Sequence, residues 1–381
     1  METILDSKVA KFREEEKAFQ KYLDESFSEQ KIRYQERFNN LEIGEISNID
    51  DFVRWRSSLT KEQIESLKFE NFFSERRINN DPDLKYLRLV QKILLEGQVR
   101  NNRTGVETIS LKGSPTERYN IRNGELAILR SKKVHVKSWV GEILWIASGK
   151  EDSTFLVENG IRIWKEWSRP GDNYVGHCYP KMWRDMPYDE EKIDQLKTVI
   201  ETLRNNPNSR QNLLVAFNQG ANKQMAAASK EAGMTIGLPA CHSLFQNHVE
   251  AENDDMLRFI LQLYQRSCDI FLGVPFNIAE YCFTANVISY ETGLVPHEFV
   301  HNMGDYHIYK NHIVQILEQL TRTDFLEMPI ARINLNYNRN EFNLIDAKNY
   351  SNEKLSEWLN ILIKSINYTE YEPHISGTVA V

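Results

Sequence analysis

The chain has 381 residues, of which 41% are hydrophobic and 27% charged, and carries a net charge of −7. That balance excludes a mostly disordered chain, a collagen-like repeat and a small disulfide scaffold, and it allows one large core with attachments. The acidic excess argues against a general nucleic-acid binder, but leaves room for local basic pockets that hold a small anion.

No run approaches the ~18 apolar residues that a membrane helix needs. The opening METILDSKVAKFREEEK lacks the apolar stretch of a secretory signal and is too acidic for a transit peptide, so a cytoplasmic protein is expected. The four cysteines, Cys178, Cys241, Cys268 and Cys282, form no CxxC pair. Free thiols and no metal site are expected.

Residues 1–85 read as a charged helical extension, with 17 acidic and 14 basic residues in the first 80. Residues 7–38 have a loose apolar stripe of Phe12, Phe19, Tyr22 and Leu23. Thr60 and Gln63 have the spacing of a capping box. INNDPDL (78–84) reads as a linker, followed by helical periodicity over Leu84–Leu95. TISLKG (108–113) and ELAILRS (125–131) read as strands, and WVGEILWIASG (139–149) as a buried helix ending at Gly149.

A helix is expected over Glu191–Leu203 and a strand over NLLVAFN (212–218). ANKQMAAASKEAGMTIG (221–237) resembles an insert or flexible loop. SLFQNHVE (243–250) and MLRFILQLYQRS (256–267) read as adjacent strands, although the second is also helical by pattern. FNIAEYCFTANVISYETG (276–293) is a helix capped near Gly293, and 308–323 another. Short strands follow Pro329, with a last helix near 351–365. The sum is α+β: one large core, 86–381, behind the extension.

Several residues could carry chemistry. Cys241 stands in GLPACHSLFQ; a thiol becomes a nucleophile when cations favour its thiolate, but a cysteine is more often a small buried hydrophobe. His242 points to the opposite face of a strand and is unsuited as its base. Arg103, Arg210 and Arg266 lie in polar, turn-like settings, where surface charge is the plain alternative. RSCDIFLGVPFNIAEY (266–281) sets Arg, Ser, Asp and Asn among apolar residues. Arg266 and Ser267 suit an anion. Asn277 can read an amide or lactam edge, or merely cap the helix. His307 and Tyr309 share a side if extended and suit a sugar, or else begin a helix. Glu142, alone in an apolar helix, is costly unless paired, and buried carboxyls with raised pKa serve as acid–base groups. Trp164 and Trp167 form a stacking wall or core.

In order along the chain, NRTG, SKKVHVKSWVGEILWIASG, IRIWKEW, YPKMWR, NPNSR, LPACH, LYQRSCDIFLGVPFNIAEY, GDYHIYKNH and the terminal VAV are similar to the blocks of the folate-dependent thymidylate synthase family. The resemblance spans about Asn102–Val381 and implies that family's fold, a mixed sheet packed by helices. It implies one-carbon transfer from 5,10-methylenetetrahydrofolate to dUMP, with no metal. Cys241 then matches the nucleophile at carbon 6 of uracil. Arg103, Arg266 and Ser267 match phosphate ligands, with Arg210 reaching the neighbouring site of a homodimer. Gln265 belongs to the same nucleotide site. Asn277 matches the reader of the uracil edge, and His307 and Tyr309 the pair on the deoxyribose hydroxyl. Glu142 and Tyr179 match acid–base and proton-relay positions, and Asp269 the pterin-binding carboxylate. Trp164, Trp167, Leu272, Gly273 and Phe276 would line the folate cleft, and Val381 would close it.

The sequence departs from that pattern in four places. Gln211 follows Arg210 where a second arginine is usual, so a phosphate contact is lost or passes to Lys223, Lys230 or the N-terminal arm. Pro180 and Met182 replace Gly and Gln beside Tyr179. The proline before the nucleophile is shifted to Pro239. The segment 221–237 and the extension are extra. Two outcomes of the chemistry therefore stand open: hydride transfer giving dTMP and dihydrofolate, or addition of water giving 5-hydroxymethyl-dUMP and tetrahydrofolate. Trp164 and the VAV tail favour the first. A non-catalytic nucleotide- or RNA-binding regulator is a remote third reading.

Overall fold

The computed structural model describes residues 48–113, 115–253 and 256–379, with positions 33, 36 and 46. Val381 and, apart from the helical positions 33 and 36, the helix expected over 7–38 lie outside the described residues.

The described chain begins with α1 (Ile49–Ser58) and α2 (Lys61–Ser66). The capping box is present: Thr60 accepts from the Gln63 N–H at 3.2 Å and the Gln63 side chain from the Thr60 N–H at 2.8 Å. Short α3 (Glu75–Asn80) leads into α4 (Pro82–Glu96). The linker expected at 78–84 is thus a helix junction. Asp81 is the N-cap, accepting from the Asp83 and Leu84 N–H groups, and Pro82 sits in the first turn, where its missing N–H costs nothing. Phe52, Phe69, Phe73 and Ile78 are buried in the same cluster as Leu87, Val90 and Ile93 of α4.

Next come β1 (Gln98–Arg100), β2 (Thr108–Lys112), β3 (Thr116–Asn120) and β4 (Glu125–Leu126). Strand structure stops at Leu126, short of the expected Ser131. The N–H groups of Arg130 and Ser131 are taken by the buried Asp83 carboxylate, at 2.9 and 2.7 Å, instead of by a neighbouring strand. Arg130 also pairs with Asp83 through Nε at 3.0 Å and with Asp81 through Nη2 at 2.6 Å.

Helix α5 (Val136–Ser148) is buried along most of its length and stops at Gly149, whose φ of 74° is a left-handed C-cap. α6 (Thr154–Glu158) and α7 (Tyr179–Arg184) follow. The hairpin β5 (Met186–Tyr188) and β6 (Glu191–Ile193) occupies the start of the helix expected from Glu191; α8 (Gln195–Asn205) begins only after the N-cap Asp194. β7 is Leu213–Val215.

The supposed flexible loop at 221–237 is largely α9 (Gln219–Ala232). Asn218 caps its start and Gly233 its end, and the alanine-rich run between them is strongly helix-forming. Ala221 and Met225 are its buried face. A Cβ on Gly237 would lie 2.2 Å from the Val175 carbonyl oxygen and 2.9 Å from Met225 Sδ, so this close turn requires glycine.

β8 (His242–Asn253) and β9 (Met256–Asp269) are antiparallel, which decides the ambiguity over the second in favour of a strand. α10 (Gly273–Thr292) follows. β10 (Val295–Tyr309) then runs parallel to β9. The helix expected from Ile308 starts later: Lys310–His312 is a single 3₁₀ turn, and α11 is Ile313–Thr321. β11 (Ala331–Ile333), α12 (Asn352–Lys364) and β12 (Ile366–Asn367) complete the chain. The main sheet runs β1-β2-β10-β9-β8-β7, with β3 also on β10, and β12-β11-β4 form a second, small sheet. Among the described residues no helix is long and apolar enough to cross a membrane.

Candidate active site

The start of β8 lies beside the end of β9, with His242 opposite Gln265, and the end of β9 lies beside the end of β10, with Asp269 opposite His307. α10 begins in the same region. Asp269 Oδ1 closes the β9–α10 turn by accepting from the Phe271 and Leu272 N–H groups at 3.0 and 3.2 Å. Most of the candidates collect where these ends meet.

Cys241 precedes β8 and is half-buried. Its N–H donates to Tyr179 Oη at 2.8 Å, and the His242 N–H donates to the same oxygen at 3.2 Å. The Arg266 guanidinium donates to the carbonyls of Pro239 at 2.7 Å and Ala240 at 3.0 Å, and its Nη2 stands 3.7 Å from Cys241 Sγ. Burial pushes the Cys241 thiol up, while the charges of Arg266 and Arg103 pull the other way. The shifted Pro239 therefore stands in a segment strapped down by Arg266. Tyr179 opens helix α7, whose first turn accommodates Pro180. A β-bulge separates His242 from Leu244 and breaks the ladder next to the thiol. The His242 ring packs on Tyr179 and Tyr281, and burial pushes it down to about 4. At neutral pH it is uncharged.

Asn277 is an interior residue of α10, which sets aside the capping alternative. Its amide is held at both ends: Oδ1 accepts from Gln265 Nε2 at 2.9 Å, and Nδ2 donates to Glu280 Oε2 at 3.2 Å. Gln265 Nε2 also donates to the Ser267 carbonyl at 3.1 Å, and Gln265 Oε1 faces His301 Nε2 at 2.9 Å.

Glu142, on α5, is not alone. Trp164 Nε1 donates to Glu142 Oε1 at 2.8 Å, and the Glu280 carboxyl is in hydrogen-bonding contact with it. Burial raises both carboxyls above the ordinary range, Glu280 most strongly because Glu142 also repels its charge. Trp164 is buried against Trp145, Trp167 and Tyr179, and the Trp167 carbonyl accepts the Gly237 N–H at 2.9 Å. Leu272, Phe276 and Trp167 are partly buried and packed against the core, and Leu272 belongs to the turn that Asp269 closes.

His307 and Tyr309 lie on β10, so they share a side of a strand and do not start a helix; their rings stand 5.1 Å apart. His307 Nδ1 is 3.3 Å from Asp305 Oδ1, and burial pushes the Tyr309 hydroxyl up to about 12. Arg103 is exposed in a turn closed by Asn102, near enough for its charge to act on Cys241 and Tyr309. Arg210 stands apart: it is exposed, and its carbonyl accepts from Gln246 Nε2 at 3.1 Å. Gln211, Lys223 and Lys230 are also exposed.

Two buried groups escaped the sequence reading. Lys132 covers the face of Phe271 at 3.4 Å, and burial pushes it down to about 7. Glu280 is 1% exposed. Its signal was available, since a carboxylate three positions after Asn277 in an apolar run falls on the same helical face. Among the described residues no group of three or more His, Cys, Asp or Glu could hold a metal ion. A model of the thymidylate synthase family matches residues 84–377, from α4 to two residues short of the last described position. Over most of its length, therefore, this chain is a member of the thymidylate synthase family, enzymes of folate-dependent one-carbon transfer to dUMP.

Proposed function

We propose that the chain converts dUMP and 5,10-methylenetetrahydrofolate to dTMP and dihydrofolate. The observation that carries this reading is the Cys241 thiol 3.7 Å from Arg266 Nη2, with the Asn277 amide joined to the same strand ends through Gln265. Arg266 and Arg103 favour the thiolate, and several guanidiniums suit a dianionic phosphate. The sulfur bonds to carbon 6 of the uracil ring and opens the 5,6 double bond. The electron pair moves onto the carbon 5–carbonyl system, and carbon 5 becomes the nucleophile that takes up the one-carbon unit. Loss of the carbon 5 proton breaks the bond between the one-carbon unit and the folate nitrogen and leaves an exocyclic methylene; hydride addition to that methylene and departure of the sulfur as thiolate restore the ring. The folate supplies the one-carbon unit and, in this branch, the hydride.

Glu142 and Tyr179 are the acid–base and relay groups in this reading, and His307 and Tyr309 bind the sugar hydroxyl. Arg103, Arg266, Ser267 and Gln265 hold the nucleotide. Asp269, Trp164, Trp167, Leu272, Gly273, Phe276 and Val381 line and close the folate cleft. A homodimer supplies Arg210 from the second copy; its exposure away from Cys241 supports this, as do the exposed Leu213 and Tyr264 on neighbouring parts of the sheet. The setting is the cytoplasm.

Product mass tests the reaction. Incubation with dUMP and methylenetetrahydrofolate is expected to give a nucleotide heavier by CH₂ with one dihydrofolate per turnover. A nucleotide heavier by CH₂O, with tetrahydrofolate released, would make the enzyme a dUMP hydroxymethylase.

Asn277 carries the base selectivity. An amide can accept from the ring N–H of uracil and donate to its carbonyl, whereas cytosine inverts both roles. Asn277→Asp introduces a third carboxyl beside Glu142 and Glu280, where crowding favours its neutral form, able to donate to cytosine N3 and accept from its amino group. The ratio of kcat/KM for dCMP over dUMP is expected to rise at least about tenfold. An unchanged ratio would assign base reading to another residue.

A further inference from the structure

Glu280 is buried, has no assigned role in the reaction proposed above, and raises a question of proton count. Its Oε1 has no hydrogen-bond donor among the described residues, yet its carboxyl is in hydrogen-bonding contact with that of Glu142. Two ionised carboxylates are both acceptors and repel each other; such a contact is satisfied only by a proton between them. Trp164 Nε1 donates to Glu142 Oε1, so the charge of the pair is better placed on Glu142 and the proton on Glu280. The other Glu280 oxygen accepts from Asn277 Nδ2 at 3.2 Å.

The direction of the Asn277 amide follows from the same network. The Ser267 carbonyl can only accept, so it fixes Gln265 Nε2 toward itself. The same nitrogen then donates to Asn277 Oδ1. Gln265 Oε1 requires a hydrogen on His301 Nε2, which is uncharged because burial pushes that ring down to about 3. Glu280 holds the other end of the Asn277 amide. The His242 ring is also in hydrogen-bonding contact with the Asn277 side chain. With Gln265 and Glu280 fixing which end is oxygen and which nitrogen, the amide presents an acceptor beside a donor, the complement of a uracil edge.

We propose that Glu280 is a positioning residue of the nucleotide site: it shares one proton with Glu142 and locks the Asn277 amide in the uracil-reading direction. The inference rests on the dUMP reading above. The other titratable groups facing the pair are Tyr281 beside Glu280, Cys178 toward Glu142, and His242 across Asn277. The Cys178 thiol and the Tyr281 phenol are un-ionised at pH 7 because burial raises them, and His242 is neutral, so none of these three competes for the proton of the pair.

Two variants separate the two roles. Glu280→Gln can still accept from Asn277 and donate to Glu142, but carries no titratable proton. Glu280→Met fills similar space and does neither. Infrared difference spectra of the ligand-free proteins at pH 7, wild type minus Glu280→Gln, are expected to contain one un-ionised carboxyl band. Subtraction removes Asp83, Glu117 and Glu291, whose carboxyls burial also raises. The preference for dUMP over dCMP in kcat/KM is expected to survive in Glu280→Gln and to fall about fivefold to tenfold in Glu280→Met, the scale of one hydrogen bond. Absence of the band overturns the shared proton. An unchanged preference in a natively folded Glu280→Met overturns the lock. A wild type that neither binds nor turns over dUMP would remove the substrate reading, while the infrared band would still decide the proton.

Discussion

Cys241→Ser is expected to abolish product, lowering kcat on the order of 10⁴-fold or more, while dUMP binding persists. The Arg266 charge that favours a thiolate at 3.7 Å cannot ionise an alcohol at neutral pH. In the proposed site the phosphate, sugar and base contacts fall to other residues, so calorimetric titration with dUMP should still give a saturable signal. The remaining cysteines serve as internal controls. Cys178, Cys268 and Cys282 are buried and their thiols are pushed up, Cys282 to about 12, so a thiol reagent should label Cys241 alone in the folded protein. Full turnover by the serine variant would remove Cys241 from the nucleophile's role.

Asp83→Ala is expected to cost about 3 kcal/mol of folding stability, read as a lower urea midpoint. Asp83 is fully buried and accepts from two backbone N–H groups and Arg130 Nε. Its removal leaves those donors without an acceptor in a place water does not reach. Arg130 keeps Asp81, which holds the loss near the lower end for a broken buried pair. A midpoint within error of wild type would mean that residues 129–131 find other partners.

How much of this could be read from sequence depends on the range of the interaction. Elements with their own periodicity and stop signals were legible: α5 ending at Gly149, α10 ending at Gly293, and the capping box at Thr60. Segment 221–237 resembles a flexible loop because alanine, lysine and glycine are common to flexible loops and exposed helices; the Asn218 cap and Gly233 stop mark it as a helix. ELAILRS has a strand's composition, but Asp83, over forty positions earlier, claims its N–H groups. Asp81-Pro82 carried a helix-start signal that read as a linker. In the site, the resemblance pointed to Cys241, Gln265, Arg266, Asp269, Asn277 and His307, which sit near one another at the sheet ends, and to Glu142, Tyr179 and Trp164 on neighbouring helical segments; Arg210 stands apart and Val381 lies outside the described residues. The Glu142–Glu280 contact joins two helices far apart in sequence, and no local pattern announces it.

The strap that Arg266 places across the Pro239 and Ala240 carbonyls has a further consequence. A segment between a proline and a strand bulge would otherwise sample several backbone orientations, each aiming the thiol differently. Tied at two carbonyls and at the Cys241 and His242 N–H groups, it has lost most of that freedom before any ligand arrives. For the proposed nucleophile, the entropy of aiming the sulfur is thus spent during folding rather than during catalysis. Binding energy from the nucleotide can then go to the ring carbon itself.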